Sequence, residues 1–383
     1  MKMTRTSSPS KVESGRVSAA YCLLLAVGCL HAAAQEPQVI NARMRTASAA
    51  AGLASAFHSI QTGESGPAWI GYAMPVVPGK HQMCCNGSIG DFSDGECGRC
   101  RLESRQGEEG GQSIKTGEIK TVQLESPPTF LVLYRAEAGR IQKIRTFSPE
   151  CELDAGGLPL IWLTAVRPAE SVAWLSTFVT AGGASAEGES DDDNHLGNSA
   201  LSAIAFHGDN SAERALEGFA ANGQPERVRE HAAFWLGAAR GRQGYEALTR
   251  LVLRDDADEH FREKAVFALY VSKEPEAVDA IIGVAHHDSS AHVRGQALFW
   301  LAQKAGKKAE ATITEAIEKD PETDVKKRAV FALSQLPKDE GVPLLIQVAK
   351  TNTNGVVRKQ AMFWLGQSHD PRALAFFEEV LSH

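Results

Sequence analysis

The sequence predicts an α-solenoid of helix pairs in its C-terminal half, preceded by a small α+β domain. A ten-residue pattern begins at Val228 and recurs four more times, at steps of 33, 32, 32 and 32 residues. A fixed period of this length is typical of stacked supersecondary units. The N-terminal half instead carries short apolar runs separated by glycine and proline, which indicate strands. An acidic stretch rich in serine and glycine lies between the two halves.

Residues 1–34 have the features of a secretory signal peptide. Basic residues precede the apolar run AAYCLLLAVGCLHAAA, and its last three alanines offer a cleavage site of small residues. The apolar run is too short to span a bilayer. We therefore expect cleavage after Ala34 and an exported, soluble protein without a transmembrane segment, in the periplasm or outside the cell. A lipid anchor on Cys29 is the alternative, although Ala26 stands where a lipoprotein signal has leucine.

Residues 35–180 are predicted to form a cysteine-containing α+β domain of unknown family. The opening segment ARMRTASAAAGLASAFHSI is rich in alanine and favours a helix. Four apolar runs then favour strands in one antiparallel sheet: AWIGYAMPVV, TFLVLYRA, RIQKIRTF and LPLIWLTAV. The segment RPAESVAWLSTFVTA favours a closing helix with Pro168 near its first turn. Residues 181–197 are predicted to be an acidic flexible linker.

Residues 198–383 are predicted to form the solenoid, with each repeated helix followed by a second one. The five copies read VREHAAFWLG, FREKAVFALY, VRGQALFWLA, VKKRAVFALS and VRKQAMFWLG. Counted from the Val or Phe that begins each copy, positions 1, 5, 8 and 9 fall on one helical face. Position 5 is always alanine and position 9 always leucine, so this face is predicted to be core. Position 8 alternates in size, which predicts interdigitating core layers: Trp235, Ala268, Trp300, Ala332 and Trp364.

The repeated pattern resembles the short HEAT-like repeats of bacterial proteins, over roughly residues 198–383. The resemblance rests on V-R-x-x-A-x-x-A-L-G with an Asp/Pro turn ahead of it, as at Asp320-Pro321. It implies repeated helices that line the concave side and an array that binds protein partners, although such arrays also host enzymes. It further implies that the basic residue at position 2 pairs with acids in the preceding turn: Arg229, Arg262, Arg294, Lys326 and Arg358.

Position 7 is phenylalanine in every copy and lies away from the core centre, on the side of the polar position 3. Because packed helices lie roughly 8–10 Å apart, the five rings are predicted to form one row. Two interpretations stay open: a ladder of rings that joins repeat to repeat, or an apolar stripe that binds an extended or helical partner. The candidate partner-binding residues are Phe234, Phe267, Phe299, Phe331 and Phe363.

Five cysteines remain once Cys22 and Cys29 leave with the signal peptide, and an odd number leaves one thiol over. The disulfide candidates are Cys84, Cys85, Cys97, Cys100 and Cys151. Structural disulfides are the favoured interpretation in an exported protein, with a connectivity that the sequence leaves open. A zinc site and thiol–disulfide exchange at the CGRC motif are the alternatives.

The sequence favours a binding protein over an enzyme and predicts no cofactor. Some HEAT-like arrays bind two irons through repeated His-Glu pairs, but this chain contains no His-Glu dipeptide. Only His231 stands at a comparable position, and one histidine cannot hold a metal pair. The net charge of −7 argues against a general nucleic-acid binder.

We therefore predict an exported protein–protein interaction scaffold, with a protein partner of unknown identity on the concave face of the solenoid. The alternative assigns a thiol-redox or zinc-dependent activity to residues 35–180 and makes the solenoid an accessory. Neither interpretation fixes the oligomeric state.

Overall fold

The N-terminal half of the computed structural model contains strands and two flanking helices. The structure describes residues 37–79, 83, 99–103, 113–114, 128–183, 191–254 and 257–382. In chain order the elements are β1 (Val39–Ile40), β2 (Arg43–Ser48), α1 (Leu53–Gly63), β3 (Ala68–Pro75), β4 (Arg99–Arg101), β5 (Ser113–Ile114), β6 (Thr129–Glu137), β7 (Arg140–Phe147), β8 (Glu152–Asp154), β9 (Pro159–Thr164) and α2 (Pro168–Gly183). The predicted signal peptide, residues 1–34, lies outside the described residues.

The strands form two mixed sheets, so the prediction of one antiparallel sheet is wrong. The larger sheet has the order β2-β9-β3-β6-β7, and the smaller has the order β1-β8-β4-β5. In the larger sheet β2, β9 and β3 run parallel, while β3, β6 and β7 run antiparallel. The apolar runs located β3, β6, β7 and β9 correctly. They could not show that β9 runs parallel to β2, because parallel pairing leaves no local turn signal.

Both faces of the larger sheet are buried at its central strands β9, β3 and β6, which explains their nearly continuous apolar sequences. Alternate residues of β3 and β6 point to opposite faces. Ile70, Tyr72 and Val132 join one core with α1, α2 and the solenoid. Trp69 and Leu131 join a second core with the smaller sheet.

The alanine-rich opening segment is only partly helical. It begins as the edge strand β2 and turns at Gly52, whose positive φ of 117° suits a residue without a side chain. The helix α1 then starts at Leu53. Pairing with β9 along the whole of β2 overrides the helix preference of the sequence.

The solenoid consists of helices that follow one another in pairs. After α2 come α3 (Asp191–Phe206), α4 (Asn210–Ala220), α5 (Glu226–Ala239), α6 (Gly241–Val252), α7 (Glu259–Val271), α8 (Ala277–His287), α9 (Ala291–Ala305), a 3₁₀ turn (Gly306–Ala309), α10 (Glu310–Lys319), α11 (Thr323–Ser334), α12 (Lys338–Thr351), α13 (Gly355–Ser368) and α14 (Pro371–Leu381). The five copies of the repeated pattern lie on α5, α7, α9, α11 and α13. No helix in the described parts of the chain combines the length and the apolar character needed to cross a membrane.

The predicted linker at 181–197 is helical at both ends. Residues 181–183 end α2 and residues 191–197 begin α3, while 184–190 lie outside the described residues. The helices α2 and α3 pack against each other, and α3 also contacts β7. Residues 36–383 therefore form one compact unit. The sheet domain and the solenoid share a core.

The core face of the repeated helices is as the sequence predicts. The alanine at position 5 is fully buried in every copy, and the leucine at position 9 is buried in every copy. Small residues let neighbouring helices approach closely. At Gly237 of α5 any side chain would overlap with the carbonyl oxygen of Ala268 on α7.

Candidate interaction face

The five phenylalanines of position 7 lie in one row across the repeated helices. Four of them are partly buried, and Phe363 at the end of the row is 54% exposed. They are thus neither core residues nor a fully exposed stripe. Each ring contacts at least one aromatic neighbour, which makes the row a continuous ladder of ring contacts.

The ladder alternates between two kinds of step, and position 8 decides which kind occurs. Where the next repeat has alanine at position 8, two phenylalanines stack: Phe234 on Phe267 at 6.2 Å between ring centroids, and Phe299 on Phe331 at 5.7 Å. Where the next repeat has tryptophan, the indole ring lies against the phenylalanine of the preceding repeat. The alternation of Trp and Ala is therefore an alternation of inter-repeat contacts.

Trp300 and Trp364 complete this ladder, which corrects their predicted place in the core, whereas Trp235 is buried in the core as predicted. Trp300 lies 4.9 Å from Phe267, and Trp364 lies 4.8 Å from Phe331, between ring centroids. Only Trp235 among the three is buried, while the other two are partly buried. The position and size of a residue in the repeat do not distinguish a place in the core from a place in the aromatic row, because both lie beside the apolar face of the helix.

The repeated helices that carry the row form the more closely packed layer of the array. Successive repeated helices pack directly on one another from α5 to α13, whereas the second helices of neighbouring units touch each other far less. In a curved stack the more closely spaced layer lies on the inside.

The charge beside the aromatic row changes sign along the array. Position 3 is acidic in the first two repeats, with Glu230 and Glu263, and basic in the last two, with Lys327 and Lys359. The basic end is the end at which Phe363 is exposed. This end of the row thus carries two position-3 lysines, of which Lys327 pairs with Asp324 at 3.0 Å.

The position-2 residues bind the repeats together from the buried side. The Arg262 guanidinium donates to both carboxylate oxygens of Asp288, at 2.8 and 3.0 Å, and Arg294 does the same to Asp320, at 2.9 and 3.1 Å. Arg229 pairs with Asp258 at 2.5 Å. These hydrogen bonds to the aspartates raise the pKa of Arg262 and Arg294.

The acids of these pairs lie in the turn that follows the helix pair, not in the preceding turn as the resemblance implied. The preceding turn contributes backbone carbonyls: Arg294 donates to Asp288 O and Arg358 to Asn352 O. Arg262 and Arg294 consequently each join two successive turns, whereas Arg358 contacts the preceding turn. Asp320 likewise makes two contacts. Its carboxylate binds Arg294 and accepts a hydrogen bond from the backbone N–H of Glu322.

Comparison with known proteins agrees with this architecture. A family model of HEAT repeats matches residues 213–302 and 310–383. The C-terminal half of this chain is a HEAT-repeat array. A search of curated proteins finds no match to the sequence.

The HEAT array is similar to several solved structures at low sequence identity. Human deoxyhypusine hydroxylase is 15% identical with a TM-score of 0.29, over 55% of this chain and 90% of that chain. The CpcE–CpcF complex of phycocyanin lyase from Nostoc sp. PCC7120 is 23% identical with a TM-score of 0.32, over 41% and 99%. YibA of Escherichia coli is 23% identical with a TM-score of 0.33, over 51% and 71%.

The structure describes two of the five cysteines that were predicted to form disulfides. Cys84, Cys85 and Cys97 lie outside the described residues, and Cys100 is buried in the second core. Cys151 has a free, buried thiol, so it is not the disulfide partner that the sequence offered. Burial raises the pKa of Cys151 to about 12. This thiol is therefore not the reactive nucleophile that a redox site requires.

A buried polar chain that sequence reasoning missed joins the sheet domain to the HEAT array. The Tyr134 and Tyr72 hydroxyls lie 2.7 Å apart, Tyr72 lies 2.7 Å from Ser171 Oγ, and Ser171 Oγ lies 2.8 Å from His207 Nε2. His207 Nδ1 lies 2.7 Å from the Ala203 carbonyl oxygen. Because a carbonyl only accepts, Nδ1 carries the proton and Nε2 accepts from Ser171.

The Ser171–His207 contact resembles half of a catalytic triad, but its environment makes it structural. Both side chains are fully buried, and a backbone carbonyl stands where a triad has a carboxylate. Burial lowers the pKa of His207 to about 4 and keeps the imidazole neutral. The four residues lie far apart in sequence and form no motif, so no local signal could have revealed them.

The histidines of the HEAT array make local contacts on its surface. His231, the predicted position-3/4 histidine, lies 2.5 Å from Asn198 Oδ1. His292 Nε2 lies 3.1 Å from Glu263, and its Nδ1 accepts from Arg328 at 3.1 Å. His260 lies beside two glutamates of α5. His260 and His292 thus each contact a glutamate of the preceding repeated helix.

Proposed function

We propose that this protein is an exported interaction scaffold and that its HEAT array binds an extended segment of a partner protein along the inner aromatic row. HEAT arrays present curved surfaces of this kind to protein partners. The main support for this proposal is the aromatic row itself. It runs unbroken across five repeats and ends in Phe363, a residue that is 54% exposed.

The two interpretations of the phenylalanine row are compatible in this proposal. Ring contacts hold each phenylalanine in place, so the partner meets an ordered surface with little side-chain entropy left to lose. The part of each ring that is not covered supplies apolar contact area, and exposed apolar patches of this kind mark interaction sites. The ladder thus both joins the repeats and prepares the binding surface.

The charges beside the row indicate the partner's chemistry. Lys327 and Lys359 lie four residues before Phe331 and Phe363 at the C-terminal end of the array. None of the last three copies has an acid at position 3. A partner segment with acidic residues near an apolar or aromatic side chain complements this end. Charge complementarity of this kind favours encounter and fixes orientation.

A pair of matched charge reversals tests the binding surface. Lys327→Glu with Lys359→Glu changes the inner face, whereas Lys307→Glu with Lys308→Glu changes two exposed lysines of the 3₁₀ turn by the same charge. We expect the first variant to lose capture of partners from the exported fraction and the second to keep it, with equal helicity in both. Equal capture by the two variants would show that the inner face does not bind the partner.

Export has its own test. The proposal requires that a signal peptide ending at Ala34 is removed, so the mature protein should begin at Gln35. The mass of the protein recovered from outside the cytoplasm should match that start. An intact N-terminus on the native protein would contradict export by this route.

The alternative thiol-redox or zinc activity of residues 35–180 gains no support from the described cysteines. The Cys151 thiol is buried and its pKa is raised, which is the opposite of an activated thiol. Cys100 is disulfide-bonded, whereas the pairing of Cys84, Cys85 and Cys97 stays a prediction.

A further inference from the structure

Three potential metal ligands from two successive repeats meet at the surface of the HEAT array. Glu226 and Glu230 lie one turn apart on α5, and His260 lies in the first turn of α7. His260 Nε2 is 2.6 Å from Glu230 Oε1 and 3.2 Å from Glu226 Oε1. One ligand atom from each residue lies within 4.8 Å of the other two.

We propose that Glu226, Glu230 and His260 form a binding site for a single Zn²⁺ ion. Zinc binds imidazole nitrogen and carboxylate oxygen at about 2.0–2.2 Å. Three ligand atoms at the observed separations surround such an ion after small rotamer changes. The imidazole favours a transition metal over Ca²⁺ or Mg²⁺, which prefer oxygen ligands only.

The charges of the cluster call for a cation. Two carboxylates four residues apart on a helix repel each other. His260 Nε2 lies within 3.2 Å of both carboxylates, so one imidazole nitrogen is shared by two acidic groups. A divalent ion compensates both carboxylates and accepts the imidazole lone pair at the same time.

The surrounding structure holds the three ligands in place. Arg229, on α5 between the two glutamates, donates to Asp258. Asp258 in turn caps the start of α7, where its carboxylate accepts from the Phe261 backbone N–H. This contact fixes the beginning of α7 against α5, and His260 is the second residue of α7.

The next repeat provides a natural comparison. Glu259, Glu263 and His292 occupy the equivalent positions on α7 and α9. There Gln296 donates to Glu263, and Arg328 donates to His292 Nδ1. Among the residues that the structure describes, the three-ligand arrangement occurs only at Glu226, Glu230 and His260.

The site is open to solvent. Glu226 and His260 are well exposed, and Glu230 is partly buried. The protein thus supplies three ligands and leaves the remaining coordination positions to water or to a donor from another molecule, as in zinc sites that are not purely structural. This inference does not depend on the proposed partner binding.

The test is zinc binding to the mature full chain, measured by equilibrium dialysis after chelation. We expect His260→Ala and Glu230→Gln each to bind one equivalent less than wild type at micromolar zinc, and His292→Ala to bind as wild type does. The difference between His260→Ala and wild type isolates this site from zinc held elsewhere in the chain. Binding of the lost equivalent should resist a hundredfold excess of Ca²⁺ or Mg²⁺.

Equal zinc stoichiometry and affinity in wild type and His260→Ala would overturn the proposal. So would displacement of the ion by calcium, because that would assign the site to a different class of cation. Thermal melting of the chelated variants serves as the folding control. We expect zinc to raise the melting temperature of wild type and of His292→Ala, but not of His260→Ala, since an ion bound only by the folded state stabilises it.

Discussion

The rings of Phe299 and Phe331 lie parallel across two neighbouring repeats, with 5.7 Å between their centroids and 1° between their planes. Each ring has a second aromatic neighbour: Phe299 contacts Trp300, and Phe331 contacts Trp364. The stacked pair is therefore an internal step of the ladder that joins the repeats. Its strength can be measured independently of any partner.

Phe331→Ala should lower the free energy of unfolding by about 2 kcal/mol, below the 3–5 kcal/mol typical of a fully buried phenylalanine because this ring is only partly covered. Phe363→Ala is the matched control at the exposed end of the row and should cost under about 1 kcal/mol. Urea denaturation measures both. A double-mutant cycle between Phe299 and Phe331 should show a coupling of about 1 kcal/mol. Zero coupling would mean that the stacked geometry contributes nothing.

Arg294→Ala should destabilise the HEAT array by about 3–5 kcal/mol, because it leaves the buried Asp320 carboxylate without its bidentate partner. The two side chains are only 10% and 8% exposed. Lys319→Ala, which breaks the exposed pair with Glu315, should cost under about 0.5 kcal/mol. Denaturant titration of both variants checks this. Similar costs for the two would show that burial of the Arg294 pair is unimportant.

Acid should destabilise the protein through His207. Because burial lowers its pKa to about 4 in the folded state, against 6.5 when unfolded, the unfolded chain binds the proton more readily. This contribution to stability is complete above pH 6.5 and is lost as the pH falls towards 4, to a total of about 3 kcal/mol.

The pH profile of unfolding measures this directly. Ser171, Ala203, Arg240 and Asp209 are the groups near the ring that set its titration, so they should stay intact. His207→Gln should flatten the profile between pH 6.5 and 4, while His287→Gln, at an exposed histidine, should leave it unchanged. Identical slopes in all three proteins would contradict a neutral, buried His207.

Cys151 should be inert to alkylation in the folded protein. With a pKa of about 12, its thiolate is scarce at neutral pH, and the sulfur also lies within a buried core. Peptide mapping after iodoacetamide treatment should find Cys151 unmodified in native protein and modified in denaturant. Rapid modification under native conditions would show that the thiol is accessible.

The repeat half was predictable because its signals are local and recur. A period of 32–33 residues, alanine at position 5 and leucine at position 9 together specify the helices and their buried face. Which aromatic rings contact each other depends on the neighbouring repeat. The role of Trp300 as the cover of Phe267 therefore emerged only from the structure.

The N-terminal half was predictable as strands but not as a topology. Parallel pairing of β2 with β9 joins segments more than a hundred residues apart, and nothing local records it. The same reason hides the Tyr72–Ser171–His207 chain and the Glu230–His260 contact. Each of these contacts joins side chains that form no motif in their own segments. They acquire a role only because the fold brings them together.

The central claim is that the inner aromatic row binds a protein partner, and site-specific photo-crosslinking tests it most directly. A photoreactive residue replaces Lys359 beside the row or, as the control, Lys307 on the 3₁₀ turn, in protein expressed in its own exported compartment. We expect a discrete crosslinked adduct from position 359 that is absent from position 307 and is lost when Phe363→Ser is added. Adducts from position 307 alone, or the same adducts from both positions, would contradict the claim.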